Sequence, residues 1–324
     1  MLDLSENLKK MNKYVKVFAP ATVANVICGY DVLGFALNAP GDEVEIELKK
    51  TPGVELTEIT GDQGLLPRDP LKNTVTATIS GILEKIGRKD LGISVKLHKK
   101  MPIGSGLGSS AASTVAGIFG VNKLLGEPLS IKELMPFALK GEEIACGHGH
   151  ADNVAPSLYG GFVLIRSYEP LDIIPLPTPE KLIATVIHPQ IEIQTRDARK
   201  IVRQHILLRD AIEQWGNIAG LVSGLYRSDY ALIGRSLEDR LIEPSRAILI
   251  PEFYELKKNA LALGALGFGI SGSGPSVFAL CDNLKTAQNI KTMVQSRFEQ
   301  VGVNSHAFVS SVNADGPRVL SVQS

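Results

Sequence analysis

The chain has 324 residues, with 34 lysines and arginines against 34 aspartates and glutamates, so its formal charge is zero. That length allows two domains with real cores. The balance, without a basic stripe or an acidic block, excludes a nucleic-acid binder and a disordered acidic tail. No apolar run reaches the length of a membrane span, because glycines break the longest suggestive stretch, residues 261–270. Three well-separated cysteines, Cys28, Cys146 and Cys281, argue against a disulfide framework and for a reducing, cytoplasmic setting.

Residues 1–13 are polar and lysine-rich, and Leu2, Leu4 and Leu8 suit a short amphipathic extension better than an export signal. Residues 14–19 are expected to form a first strand. Val44, Ile46 and Leu48 alternate with glutamates and predict a half-buried strand. Residues 73–86 put Val75, Ile79, Ile82, Leu83 and Ile86 on one helical face. A strand at 93–97 runs into Lys99 and Lys100, then into a glycine-rich loop and a helix over 109–125. Ser130 with Glu133 predicts a capping box for a helix ending near Cys146. Residues 161–166 read as a strand, and four prolines within 170–179 mark a boundary between halves, 1–170 and 171–324. Beyond it the pattern predicts a strand at 182–188, helices over 195–225, 230–238 and 252–263, and two short strands about a second glycine cluster. A helix at 285–300 and a strand at 307–311 close the chain. Strands and helices alternate, but hairpin-like neighbours argue for an α+β fold in two lobes with mixed or mostly antiparallel sheets.

Four segments carry candidate chemistry. The first comprises Pro102, Ile103, Gly104, Ser105, Gly106, Leu107, Gly108, Ser109, Ser110, Ala111, Ala112 and Ser113. Alternate glycines let backbone N–H groups face an anion, and the helix that follows adds its free N–H groups and dipole. The spacing is neither Walker A, which needs Gly-Lys-Ser/Thr, nor the dinucleotide fingerprint. A hydroxyl here, from Ser109 or Ser110, suits Mg²⁺ together with a carboxylate, for which Glu142 and Glu143 are candidates. The plain alternative is a glycine turn entering a packed helix.

The second segment, residues 20–34, places Asn25 and Asp31 on a loop after a strand, as ligand contacts or as Asx turns. The third holds His148, His150, Asp152 and Asn153. His-x-His-x-Asp is also how some metal-dependent hydrolases begin their ligand set, though a histidine would follow the aspartate in those enzymes. The fourth, residues 269–276, carries Gly272, Ser273 and Gly274; it is longer than a two-residue hairpin needs and looks like a second backbone surface shaped to approach a ligand.

Together, residues 20–34, 102–113 and 269–275 resemble, in order and over nearly the whole chain, the three motifs of the GHMP kinases. Residues 150–161, 195–199 and 242–246 resemble substrate-side segments of the homoserine kinase branch. The resemblance implies a two-lobed fold with the active site between the lobes. The N-terminal lobe would be like ribosomal protein S5 domain 2, and the C-terminal lobe a ferredoxin-like α+β lobe. It implies ATP wrapped by the glycine loop, Mg²⁺ on Ser110 and Glu142, and Asn73 near the adenine. L-homoserine would lie among Asn25, Asp31, His150, Asp152, Asn153, Arg199 and Arg246, and its hydroxyl would be phosphorylated. Arginine forks suit the carboxylate and Asp31 with Asn25 the ammonium. Asp152 or Asn153 would orient the hydroxyl rather than remove its proton. A homodimer is a further implication. A mevalonate-type or sugar kinase of the same fold remains an alternative. The first motif departs from the usual Asn-Leu-Gly-x-Gly-Phe-Asp: here it reads Asn25-Val-Ile-Cys-Gly-Tyr-Asp31, which is expected to stiffen the substrate loop.

Overall fold

The structure is a computed structural model that describes residues 11–324. The leucines of the expected amphipathic extension lie outside the described residues.

β1 (Tyr14–Ala24) begins with the alternation that its sequence demands: Val15 and Val17 are fully buried, while Tyr14 and Lys16 are only half-buried. It pairs antiparallel with β2 (Leu33–Lys49), with a register break between Pro20 and Thr22. β2 reaches much further back than residues 44–48. β3 (Gly53–Thr60), absent from the sequence reading, lies at the sheet edge, and most of its residues are exposed. α1 (Thr74–Lys85) starts from Asn73 and buries Val75, Ile79, Ile82 and Leu83, as its 3.6-residue periodicity predicts. β4 (Gly92–His98) pairs parallel with β3 and antiparallel with the second half of β2.

α2 (Ser109–Leu124) emerges from the glycine loop and is buried nearly all round. Its small residues permit this. A Cβ on Gly117 would lie 2.6 Å from Val75, and one on Gly120 would lie 2.8 Å from Ile46 of the sheet. α3 (Ile131–Cys146) carries the expected capping box, with Ser130 and Glu133 bonded reciprocally. α4 (Ala151–Tyr159) is a nine-residue helix that takes in Asp152 and Asn153 of the third segment. β5 (Phe162–Tyr168) then pairs with the start of β2, and β6 (Leu171–Leu176) pairs with β5.

A second, four-stranded antiparallel sheet contains β7 (Ile183–Pro189), β8 (Gly267–Ile270), β9 (Val277–Cys281) and β10 (Ser305–Ser311), in the order β10-β7-β9-β8. Between β7 and β8 run α5 (Thr195–Lys200), α6 (Leu208–Arg227), α7 (Tyr230–Ser236), α8 (Glu243–Arg246) and α9 (Phe253–Ala262). α10 (Leu284–Gln300) joins β9 to β10, and the core behind this sheet includes Phe253, Phe268, Ile290 and Phe298.

The expected last strand at 307–311 does not close the chain. β11 (Arg318–Gln323) follows and adds to the outer edge of β1. All six of its residues are exposed, so it has no buried/exposed alternation to betray it. The first sheet therefore runs past residue 170 through β6 and also takes in β11, giving seven strands. The two sheets share one apolar core: Phe35 of β2 lies 4.8 Å from Phe162 of β5 and 5.9 Å from Phe278 of β9 between ring centroids.

Candidate active site

A cleft of about 480 Å³ lies where the glycine loop, the first-motif loop, α3, α4 and α5 converge. One wall is the loop at 102–108. Gly104, Gly106 and Gly108 all have positive φ, between 62° and 75°, where a side chain is strained. Gly108 is the N-cap of α2, and a Cβ on it would lie 2.1 Å from Thr22 Oγ1. Thr22 Oγ1 donates to Asn153 Oδ1 at 2.8 Å, which fixes the α4 amide against the loop. Pro102 and Ile103 lead in, while Leu107, Ala111 and Ala112 are buried; Leu107 O accepts Thr22 N–H at 3.0 Å.

The second glycine cluster buttresses this loop. Ser271 Oγ donates to Gly106 O at 2.7 Å, and Ser276 Oγ donates to Ser105 O at 2.5 Å. A Cβ on Gly106 would lie 2.6 Å from Ser271 O and 2.8 Å from Gly274 O, so the two glycine segments touch backbone to backbone. Gly272 and Ser273 line the cleft beside them. The buried hydroxyls of Ser105 and Ser109 have no partner among the described residues, a costly arrangement unless something else bonds them.

Ser110 Oγ donates to Glu142 Oε1 at 2.7 Å, across from α2 to α3. Glu142 is buried, and desolvation raises its pKa despite that bond. Among the described residues no cationic side chain pairs with it. Glu143 instead pairs with Lys140 at the surface, so of the two glutamates only Glu142 faces the cleft. Ser113, expected to face the phosphates, lines the cleft, and its hydroxyl bonds Asp42 and Lys99.

The opposite end of the cleft is charged. Asp31 and Arg199 were expected to meet a ligand's two charges separately. Here they meet each other, with Nη1 to Oδ2 at 3.0 Å and Nη2 to Oδ1 at 2.9 Å, because opposite charges brought face to face pair bidentately. Asn25 is likewise engaged: Nδ2 donates to Gly272 O at 2.8 Å and Oδ1 accepts Asp31 N–H at 3.0 Å. Arg246 is almost fully buried. It donates to Ala198 O, Gly272 O and the Tyr30 hydroxyl, and lies 4.9 Å over the Tyr30 ring. That still leaves guanidinium N–H groups to spare. Tyr30, Tyr168 and Lys99 carry no motif signal of their own in the sequence, yet Tyr30 and Lys99 line the cleft and Tyr168 braces Asp31. Tyr30 sits inside the first motif, and Tyr168 donates to Asp31 O at 2.9 Å.

Asp152 lies in the first turn of α4, where burial, Asp31 and Glu142 push its pKa up to about 7 against the pull of Arg199. His150 is the N-cap of α4, with its pKa lowered by burial. The metal-hydrolase alternative fails here. The His148 and His150 rings are 6.2 Å apart, and among the described residues no group of three or more His, Cys, Asp or Glu side chains could hold a metal. Asn73 lines the cleft, but its side chain is spent on the protein: Oδ1 caps Val75 N–H and Nδ2 donates to Pro67 O at 3.1 Å.

The first-motif turn is strained and packed. Asn25, Val26 and Ile27 all have positive φ, which costs β-branched residues of order 1–3 kcal/mol each. Val26 and Ile27 are buried, and Gln214 Nε2 of α6 donates to Cys28 O at 2.7 Å. Ile27 fits where β8 has no side chains: a Cβ on Gly269 would lie 2.6 Å from Ile27 Cγ1. Gly269→Ala is therefore expected to destabilise the fold by about 1–3 kcal/mol, as overpacking does. Denaturant titration checks this, and an unchanged midpoint would show that Ile27 is not keyed into β8.

Comparison with known proteins accounts for this architecture. The family profile for the GHMP kinases N terminal domain matches residues 73–161, and that for the GHMP kinases C terminal matches residues 221–300. The chain is 48% identical over 318 residues to a homoserine kinase of Chloroherpeton thalassium, covering 95% of this chain and 100% of that protein. It is 49% identical over 319 residues to that of Chlorobium phaeovibrioides, again covering 95% and 100%. A crystal structure of homoserine kinase from Cytophaga hutchinsonii is 55% identical and superposes with a TM-score of 0.93, covering 96% of this chain and 98% of that one. A mevalonate kinase from L. major shares the fold at 15% identity and a TM-score of 0.69, covering 92% and 96%. The chain, with its glycine loop lacking a Walker lysine, therefore belongs to the GHMP kinases and, among them, to the homoserine kinases.

Proposed function

We propose that this chain transfers the γ-phosphoryl group of ATP to the side-chain hydroxyl of L-homoserine, giving O-phospho-L-homoserine for threonine biosynthesis. One observation carries the reading: the glycine loop and the oppositely charged Asp31 and Arg199 line the same cleft, and Asp152 there feels both that pair and Glu142. Phosphoryl transfer through a loose transition state needs positioning and charge neutralisation more than a strong nucleophile. The loop N–H groups and the α2 dipole receive the phosphates. Leu66, Pro67 and Thr74 flank the adenine end, and Asn73 shapes it by holding the turn before α1.

Ser110 and Glu142 fit Mg²⁺, since a buried carboxylate with a hydroxyl and no cationic partner is a hard-oxygen site short of a cation. When bound, the ion would neutralise charge on the phosphates. At the far end, a zwitterion can exchange into the Asp31–Arg199 pair, its ammonium to Asp31 and its carboxylate to Arg199 and Arg246. A substrate with a carboxylate alone would strip Asp31 of its cation beside Asp152, which disfavours mevalonate and sugars. Residues 1–170 would bind the nucleotide and residues 171–324 supply Arg199, Arg246 and the second glycine cluster. The expected setting is the cytoplasm, as a homodimer with no nucleic-acid or membrane partner.

ADP release with Mg-ATP and L-homoserine, mevalonate or galactose tests the assignment. Turnover is expected with homoserine and is reduced at least about a hundredfold with the others, in line with a site whose polar groups are left unpaired. Turnover with mevalonate but not homoserine would overturn it.

A further inference from the structure

Beneath the glycine loop lies a charged cluster that none of the roles above uses. Lys99 and Asp42 form an ion pair with side chains only 2% and 0% exposed. Lys99 Nζ also donates to Ser109 O at 2.8 Å and to Ser113 Oγ at 2.7 Å. Asp42 Oδ2 accepts Ser113 Oγ–H at 2.8 Å, and Oδ1 accepts the Lys100 N–H at 2.9 Å. Asp42 is anchored in the middle of β2, opposite Ala19 of β1.

We infer that Lys99, Asp42 and Ser113 form a staple that closes the neck of the phosphate loop, with Lys99 as a positioning residue for the nucleotide phosphates. The inference rests on the ATP reading above. The cluster grips both stems of the loop at once: the strand exit at Lys99 and Lys100, and the helix entrance at Ser109 and Ser113. Between them the chain runs through three glycines with positive φ, the conformation least able to hold its own shape.

Stability alone is a poor reason for this arrangement. A buried ion pair is often no better than apolar packing of the same volume. A cation is also the wrong sign for a helix N-terminus, yet Lys99 Nζ sits in the first turn of α2. Both features make sense if an anion occupies the loop. Lys99 lines the cleft from below, where a Walker loop would place its lysine among the phosphates from within.

The test measures nucleotide binding directly, by calorimetry with Mg-ATP and with AMP, on wild type and two variants. Lys99→Met/Asp42→Asn keeps the volume and removes both charges together, so neither is left buried alone. It is expected to melt near wild type, to bind Mg-ATP about tenfold more weakly, a loss of about 1.4 kcal/mol, and to bind AMP nearly as before. Its KM for homoserine stays within about twofold, since the staple does not reach that end of the cleft. Ser113→Ala keeps the ion pair, removes the hydroxyl bridge, and is expected to weaken Mg-ATP binding by about twofold to fivefold. Wild-type affinity for Mg-ATP in a folded double variant would overturn the inference. If the double variant does not fold, unchanged affinity in Ser113→Ala overturns it. Equal losses for ATP and AMP would also overturn it, since they would point to general loosening. Failure of wild type to bind Mg-ATP would instead overturn the ATP reading on which the staple depends.

Discussion

Glu142→Ala is expected to lower kcat by about a hundredfold to a thousandfold, the usual cost of removing one group that stabilises transferring charge. The fold should not suffer. Glu142 is buried, its pKa is raised by desolvation, and its hydrogen bond comes from Ser110. Truncating it removes a buried carboxylate whose burial is unfavourable, so the melting temperature should hold or rise while activity falls. That split separates a metal-holding role from a structural one. Ser110→Ala should cost less, and the double variant should lose less than the two single losses combined, because both side chains serve one site. The Mg²⁺ concentration needed for half-maximal rate should rise in both. A kcat within tenfold of wild type for Glu142→Ala would remove this pair from the proposed site.

The second large effect concerns Asp152. Its folded pKa, about 7, lies above the ordinary 3.8, chiefly through burial and then through Asp31 and Glu142. A raised carboxyl stabilises the fold relative to its ionised form only while protonated. Its contribution is present below about pH 4, and is lost as pH rises to about 7. Asp152→Asn should therefore be more stable than wild type at pH 8 and no more stable at pH 3.5, by thermal melting. Activity should move the other way. In the proposed site the ionised carboxylate would accept the hydrogen bond of the acceptor hydroxyl, so wild-type kcat is expected to rise with pH through about 7. Asp152→Asn can still orient that hydroxyl through its amide oxygen. It should keep about 1–10% of kcat and lose the acid limb of the profile. A loss of about 10⁴-fold with homoserine binding unchanged would make Asp152 a true general base.

Legibility in the sequence followed burial and chain proximity. Elements with one wet face and one dry face were readable: β4, α1 and α3 declare themselves by period and caps. Those without that contrast were not. β3 and β11 lie at sheet edges with little buried surface, and α4 is short and begins in a Gly-His-Gly-His run that carries no cap signal. The Pro-rich run at 170–179 looked like a boundary, yet β6 lies within it because its backbone pairs with β5.

The site divides in the same way. Amino-acid order alone made residues 102–113 a candidate anion seat, since alternate glycines ahead of a helix permit inward N–H groups. It also carried the three ordered motifs, but it left the hydroxyl open between Ser109 and Ser110 and the carboxylate between Glu142 and Glu143, and only the fold brings Ser110 against Glu142. Which charges neutralise one another was decided only by the tertiary structure. Asp31 and Arg199 are 168 residues apart and Lys99 and Asp42 are 57 apart. Such pairings depend on distances of a few ångströms in a weakly screening interior. No spacing along the chain encodes those distances. The same packing gives Asn25 and Asn73, both lining the cleft, backbone partners within the protein, because a buried amide bonds whatever backbone lies nearest.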